Sequence, residues 1–395
     1  MKTWFLFILL VISNFCFSQS YEIGILRRYE INDLLISYHK GSYNVYGDGE
    51  KKHTILPTES VEIKVSGNQL SLIQGVQPLG VYDTIWIEES LPNHSFRIQG
   101  LKPKKLKERK YNNNLRITID KNHSIKVVNL VRMPNYLAGV IESEGGGGRH
   151  LEYYKVQATL SRTYLLSHLK KHAKEGFQLC DQVHCQAYHN MLIYTPTIID
   201  AVQATKNIVM IDARFKLANG FFFANCGGQT SESDFVWNNA VSYCRSVVDT
   251  FCIHTRQATW EKRIPKAAWK EYLVKEFAYP VSDSIFRNYL YYFTQEHRLA
   301  FYQIPQLGIP LRDIRYHFKL RSTWFDCHLE GNEVVLNGRG FGHGVGLCQE
   351  GAMNMAKQGY SYSQILQFYF SKVGLINYFD YLFFRQGKFY DTMIN

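Results

Sequence analysis

Residues 136–164 read YLAGVIESEGGGGRHLEYYKVQATLSRTY, and here the pattern of the chain changes from strand-like to helical. Asn135 is placed to cap a helix that carries Tyr136, Leu137, Val140 and Ile141, and the four glycines at 145–148 end it. A second helix follows, because Val156, Leu160, Tyr164, Leu165 and Leu169 recur at spacings that cover one face. At the end of the first apolar segment stands Glu144, a position from which a chain can present a carboxylate to a substrate. Glu142 lies two residues earlier and projects about 200° away on a helix, so the two acids cannot share one site.

Upstream, residues 21–128 break into short alternating stretches such as LLISYHKG, VEIKVSG, YDTIWIEES and LRITID, separated by Gly, Asn and Asp. Apolar residues at period two with frequent turn signals predict a β-rich region. The basic run KPKKLKERK at 102–110 interrupts it, as a solvated loop between strands or as a polyanion-binding patch. Downstream the pattern predicts strands in VMIDARF, FFFANCGG and VVLNGRGFG, a helical stretch over 260–296, and helices at 349–357 and 363–370. The expected class is α+β, with a β-rich N-terminal domain at 19–128 and a mixed domain at 129–395.

The N-terminus narrows the setting. Lys2, an apolar run from Trp4 to Ile12 and a small residue at Ser18 predict a secretory signal peptide, residues 1–18. No later run approaches the roughly 20 apolar residues of a membrane span. An exported protein, periplasmic or at the cell surface, is expected, with no transmembrane segment after cleavage. The net charge of +11 then points away from nucleic acid and towards anionic lipid or the carboxylates of a cell-wall polymer. Of eight cysteines, removal of Cys16 leaves seven, an odd number that cannot all pair within the chain.

Four constellations carry candidate chemistry. Glu144 has no acidic partner facing the same way, whereas most glycoside hydrolases need two carboxylates. A lytic transglycosylase does not, because the 6-hydroxyl of N-acetylmuramic acid attacks its own anomeric carbon and one glutamate can serve as acid and then base. The plain alternative is a solvated helix end. Cys180, His184 and Cys185, with His172 upstream and His168 and His189 as rivals, suit a tetrahedral Zn²⁺ or, equally, a Cys180–Cys185 disulfide. In FANCGGQT, residues 223–230, the paired glycines allow backbone N–H groups to hold a sugar acetamide or simply form a hairpin turn. In GRGFGHGVGLCQEGA, residues 338–352, the glycine order is not that of a dinucleotide fingerprint, and His343 is a contact to substrate or a structural histidine.

In this order YLAGVIESE with KVQATLSRTY, HCQAY, CGGQT and GHGVGLCQEGAMNMAKQG resemble the SpoIID/LytB family, named for a stage II sporulation protein and an amidase enhancer. The resemblance covers roughly residues 131–375. It implies a SpoIID-like catalytic domain that cleaves peptidoglycan glycan strands by lytic transglycosylation, with Glu144 at the family's catalytic position. Arg162, Gln186, Tyr188, Thr230 and His343 become candidates for orienting substrate. The resemblance also raises a structural Zn²⁺ at Cys180, His184, Cys185 and His172 above the disulfide. Amidase enhancers share the domain, so the alternative is a non-catalytic, wall-binding activator of an N-acetylmuramoyl-L-alanine amidase. A third reading is a hydrolase using Cys226 or Cys348 with His343. Two departures from the family stand out. Glycines replace the usual Met-Pro after the glutamate, which predicts a flexible loop, and residues 233–332 form a long insert, expected to be a helical subdomain.

Overall fold

The computed structural model describes residues 20–385, so the expected signal peptide lies outside the described residues. Within them no helix is long and apolar enough to cross a membrane. The chain divides between Asn135 and Tyr136 into two compact units, and sheets and helices both contribute, as an α+β class requires.

The first unit is built of antiparallel strands. One sheet places Ser20–Ile25, Ile125–Arg132, Asn114–Ile119, Ile85–Glu89, Tyr43–Gly47 and Glu50–Ile55 side by side. A second, six-stranded sheet runs Arg109–Asn112, Ser95–Lys102, Asp33–Lys40, Ser60–Ser66, Gln69–Gln74 and Gln77–Tyr82. Alternation does the work expected of it: Leu34 and Ile36, Val61 and Ile63, and Leu115 and Ile117 are fully buried, while the residues between each pair, Leu35, Glu62 and Arg116, are only partly so. Tyr43 of the first sheet meets Phe96 of the second edge-on at 5.5 Å, so the buried faces share a core. Lys104, Lys105 and Lys107 of the basic run are exposed in the connection between two strands of the second sheet.

Helix α1, Met133–Gly145, begins two residues before the expected cap. Asn135 instead donates its Nδ2 to Asn113 Oδ1 at 3.0 Å. In the second unit helix α2, Leu151–Ser167, is the central element, and its surroundings differ from the one-faced pattern of the sequence. Gln157, Thr159, Ser161, Arg162 and Thr163 are buried along with its apolar residues. The threonines turn their hydroxyls back onto the helix, Thr159 to the Lys155 carbonyl at 3.0 Å and Thr163 to that of Thr159 at 2.7 Å. Around α2 lie helix Thr197–Ala204, strand Ile208–Ile211 and the C-terminal helices Gln349–Lys357 and Tyr362–Tyr369.

The insert has its own core, but it is not purely helical. Strands Thr259–Pro265, Glu333–Arg339 and Phe325–Glu330 form an antiparallel sheet with helix Lys266–Phe277 against it. Trp269 lies at the centre, stacked on Phe318 at 5.2 Å and donating Nε1 to the Leu290 carbonyl at 3.0 Å. Strand Thr259–Pro265 escapes a reading by composition because charged Glu261, Lys262 and Arg263 separate its two buried anchors, Trp260 and Ile264.

Candidate active site

Three consecutive side chains at the end of α1 grip one segment of chain. Glu142 accepts the amides of Ile193 and Tyr194 at 2.7 and 2.9 Å, Ser143 Oγ accepts that of His189 at 3.2 Å, and Glu144 Oε1 accepts that of Ala187 at 2.7 Å. The segment lies so close that a Cβ on Gly139 would stand 2.4 Å from the Asn190 carbonyl oxygen, which explains a glycine inside the helix. The glycine run is tied as well. Tyr154 Oη donates to the Gly146 carbonyl at 3.0 Å and accepts the Arg149 amide at 3.0 Å, anchoring the turn where a flexible loop was expected.

Glu144 lines a cavity of about 780 Å³, a volume typical of ligand sites. Among the described residues lining it, Glu144 is the only carboxylate. Burial raises its pKa above the ordinary carboxylate value, and the Ala187 amide offsets part of that rise. Phe221, Phe222, Phe223, Trp237 and Phe341 supply an aromatic wall, and Lys171, Gln186, His343 and Gln349 supply polar groups. The buried Oε1 of Gln186 has no hydrogen-bond partner among the described residues, while its Nε2 donates to the Ser161 carbonyl at 3.2 Å. Gln186 lines the cavity, and its Oε1 is a buried acceptor that no donor among the described residues satisfies.

His343 is held as a neutral ring. Its Nδ1 accepts the Val345 amide at 3.1 Å, which puts the proton on Nε2, facing the Phe222 carbonyl at 3.1 Å. Burial, with Arg315 adding to it, lowers its pKa to about 4. The loop that carries it joins strand Leu347–Cys348, which pairs in parallel with Phe222–Phe223. At Gly342, where φ is +119°, a Cβ would stand 2.6 Å from that of Phe223, so the wall closes only around glycine.

Of the residues expected to orient substrate, Gln186 and His343 join Glu144 at the cavity and three do not. Arg162 is buried in the core, with its guanidinium donating to the carbonyls of Ile208 at 3.0 Å and Val202 at 3.3 Å. Tyr188 is fully buried and packs edge-on against Tyr136 at 5.0 Å. Thr230 is buried, and its hydroxyl accepts the Val247 amide at 2.8 Å. Cys226 and Cys348 are completely buried and do not line the cavity, so neither thiol is presented to a substrate there. The aromatic wall is what sequence reasoning missed. The run of three phenylalanines at 221–223 was its one visible signal.

Beside the cavity His172, Cys180, His184 and Cys185 bring their ligand atoms within 4.8 Å of one another. His172 Nε2 lies 3.3 Å from Cys185 Sγ and 3.3 Å from His184 Nε2, and Cys180 Sγ lies 3.6 Å from His184 Nε2. Tetrahedral Zn²⁺ with bonds of about 2.0–2.3 Å sets its ligands about 3.3–3.8 Å apart, so the set fits such an ion. Glu175 Oε1 at 2.5 Å from His172 Nδ1 leaves Nε2 for the metal, the usual outer-shell arrangement. Both cysteines are free thiols. Cys185 is held at about 4, first by the hydrogen bond from the Cys180 thiol and further by His172 and Lys171. His168 stacks on Tyr164 at 4.1 Å, and neither it nor His189 belongs to this set.

A family model described as Stage II sporulation protein matches residues 121–211, a span that contains Glu144 and all four members of the Cys/His set. An uncharacterized protein of Brachyspira hyodysenteriae is 26% identical over 369 residues, covering 89% of this chain and 93% of its own length. The stage II sporulation protein D of Bacillus subtilis is 27% identical over 260 residues, covering 61% of this chain and 73% of its own length. The amidase enhancer of Bacillus subtilis is 23% identical over 298 residues, covering 61% of this chain and 40% of its own length. The ordered sequence blocks, the family model over residues 121–211 and these relatives agree, and all mark the chain as similar to the SpoIID/LytB family.

Proposed function

We propose that the protein is an exported lytic transglycosylase of peptidoglycan glycan strands, with Glu144 as its single acid and base. The observation that carries this reading is a lone carboxylate, its pKa raised by burial, on the wall of a cavity with no second acid among the described residues. Protonated Glu144 gives its proton to the glycosidic oxygen as the bond from that oxygen to the anomeric carbon breaks. The resulting carboxylate then takes the proton of the muramic acid 6-hydroxyl as its oxygen bonds to the same carbon. A 1,6-anhydro sugar forms, no water is consumed, and Glu144 ends protonated as it began.

The aromatic wall suits the apolar faces of sugar rings, and Gln186 Oε1 suits a hydroxyl or acetamide N–H. His343, neutral and tied on both nitrogens, shapes the wall and carries no proton in the reaction. His172, Cys180, His184 and Cys185 would hold a Zn²⁺ ion through four protein ligands, and the chemistry such an ion would supply is structural, fixing the loop that leads to Ala187.

The relative named an amidase enhancer favours a second reading, in which the chain binds the wall and stimulates an amidase. Incubating sacculi with the protein alone, with a cell-wall amidase alone, and with both separates the two. Transglycosylation expects sugar release by the protein alone, abolished in Glu144→Gln. No sugar release by the protein alone, with faster peptide release when the amidase is added and the same gain in Glu144→Gln, would establish the enhancer instead.

A further inference from the structure

Behind the cavity wall lies a second set of metal-binding groups. Cys226, Asp249, Cys252 and Cys348 are completely buried, and their ligand atoms lie within 4.8 Å of one another. Cys226 Sγ stands 3.2 Å from both Cys252 Sγ and Asp249 Oδ2. Cys348 Sγ accepts the amides of Cys226 at 3.2 Å and Gly351 at 3.4 Å, the N–H support that a metal-bound thiolate receives.

Charge gives an independent reason for an ion here. Asp249 is buried, with Tyr369 Oη at 2.7 Å and the Phe251 amide at 2.9 Å as its other partners, all of them uncharged donors. Arg298 is also buried, and its partners are neutral: the carbonyls of Cys226 and Gln229, both at 2.7 Å, Thr323 Oγ1 at 3.3 Å, and the Trp324 ring. A buried carboxylate and a buried guanidinium without counter-charges are each costly. A dication held by three thiolates and a carboxylate gives Asp249 a charged partner and leaves a net negative centre beside Arg298, so each buried charge then faces its opposite. A disulfide within the set would leave the third thiol, the carboxylate and the arginine unresolved.

We propose that Cys226, Asp249, Cys252 and Cys348 form a closed structural Zn²⁺ site, distinct from the Cys/His set. On binding, three S–H protons leave as three Zn–S bonds form, and Asp249 supplies the fourth ligand through oxygen. The ion joins segments separated by as many as 122 residues and stands behind Phe223 and Gln349 of the cavity wall. Its role is to hold that wall, which replaces the nucleophilic reading of Cys226 and Cys348.

The test is metal content of the full chain by elemental mass spectrometry. Wild type should carry two zinc equivalents. Protein with Cys180→Ser and Cys185→Ser should keep one, and adding Cys252→Ser should remove it. A second measurement needs no variant: alkylation of wild type in denaturant without reductant, followed by peptide mapping, should recover Cys226, Cys252 and Cys348 all as free thiols. Zinc absent from the Cys180→Ser, Cys185→Ser protein, a single equivalent in wild type that survives Cys252→Ser, or any of the three cysteines in a disulfide overturns the proposal.

Discussion

The Ala187 amide donates to Glu144 Oε1 at 2.7 Å, and Ala187 stands two residues after Cys185 of the Cys/His set. The acid is therefore held by the loop that follows the set. If Zn²⁺ occupies the set as proposed, removing it should loosen Glu144 without touching it. Cys185→Ser, or treatment with a strong chelator, is expected to lower the melting temperature and to cut the rate of glycan cleavage about 100-fold, the scale of a misplacement of about 1 Å. Zinc content, melting and rate measured on one preparation check this. Full activity in metal-free protein would separate the loop from the acid.

Burial sets the sign of the pH dependence. The first step needs protonated Glu144, whose carboxyl is raised by burial. Cleavage should hold below the folded pKa and fall about tenfold per pH unit above it. Stability follows the same sign. A carboxyl with a folded pKa above its unfolded value contributes stability that is present at acid pH and lost as pH rises through the folded pKa. Glu144→Gln should therefore melt above wild type at neutral pH, with the difference closing at acid pH. Melting curves across pH decide it.

Glu142 has a different task from its neighbour. It accepts the amides of Ile193 and Tyr194, so Glu142→Ala leaves two donors without their acceptor and should cost about 1–3 kcal/mol. Denaturant unfolding measures the loss. Glu142→Gln should recover part of it, since the amide oxygen still accepts.

Arg162 separates a fold residue from a substrate residue. With its guanidinium donating to the Ile208 and Val202 carbonyls, Arg162→Leu should cost about 1.5–3 kcal/mol of stability. KM for glycan should stay at the wild-type value in the folded fraction. A raised KM at unchanged stability would return Arg162 to the site.

These residues also show what the sequence makes legible. Alternation in LLISYHKG or LRITID survives because one sheet face is buried and the other is not, so the β-rich unit is plain. Glu144, Gln186 and His343 are likewise recoverable, being polar residues set in apolar or glycine-rich blocks. Arg162, Tyr188 and Thr230 lie in blocks of the same kind yet face inward. A linear pattern cannot tell a polar group satisfied by backbone carbonyls from one presented to a ligand. The aromatic wall needs the parallel pairing of Phe222–Phe223 with Leu347–Cys348, a contact across more than a hundred residues that no local period encodes. The same distance conceals the link between Cys226 and Cys348.

The central claim is that Glu144 cleaves glycan without water, and the chemical nature of the product ends tests it most directly. Mass spectrometry of sugars released from purified sacculi should find 1,6-anhydromuramic ends with wild type and a loss of about 10²–10⁴-fold in their rate of formation with Glu144→Gln. Reducing muramic ends from wild type, or anhydro ends released equally by the Gln variant, would contradict the account.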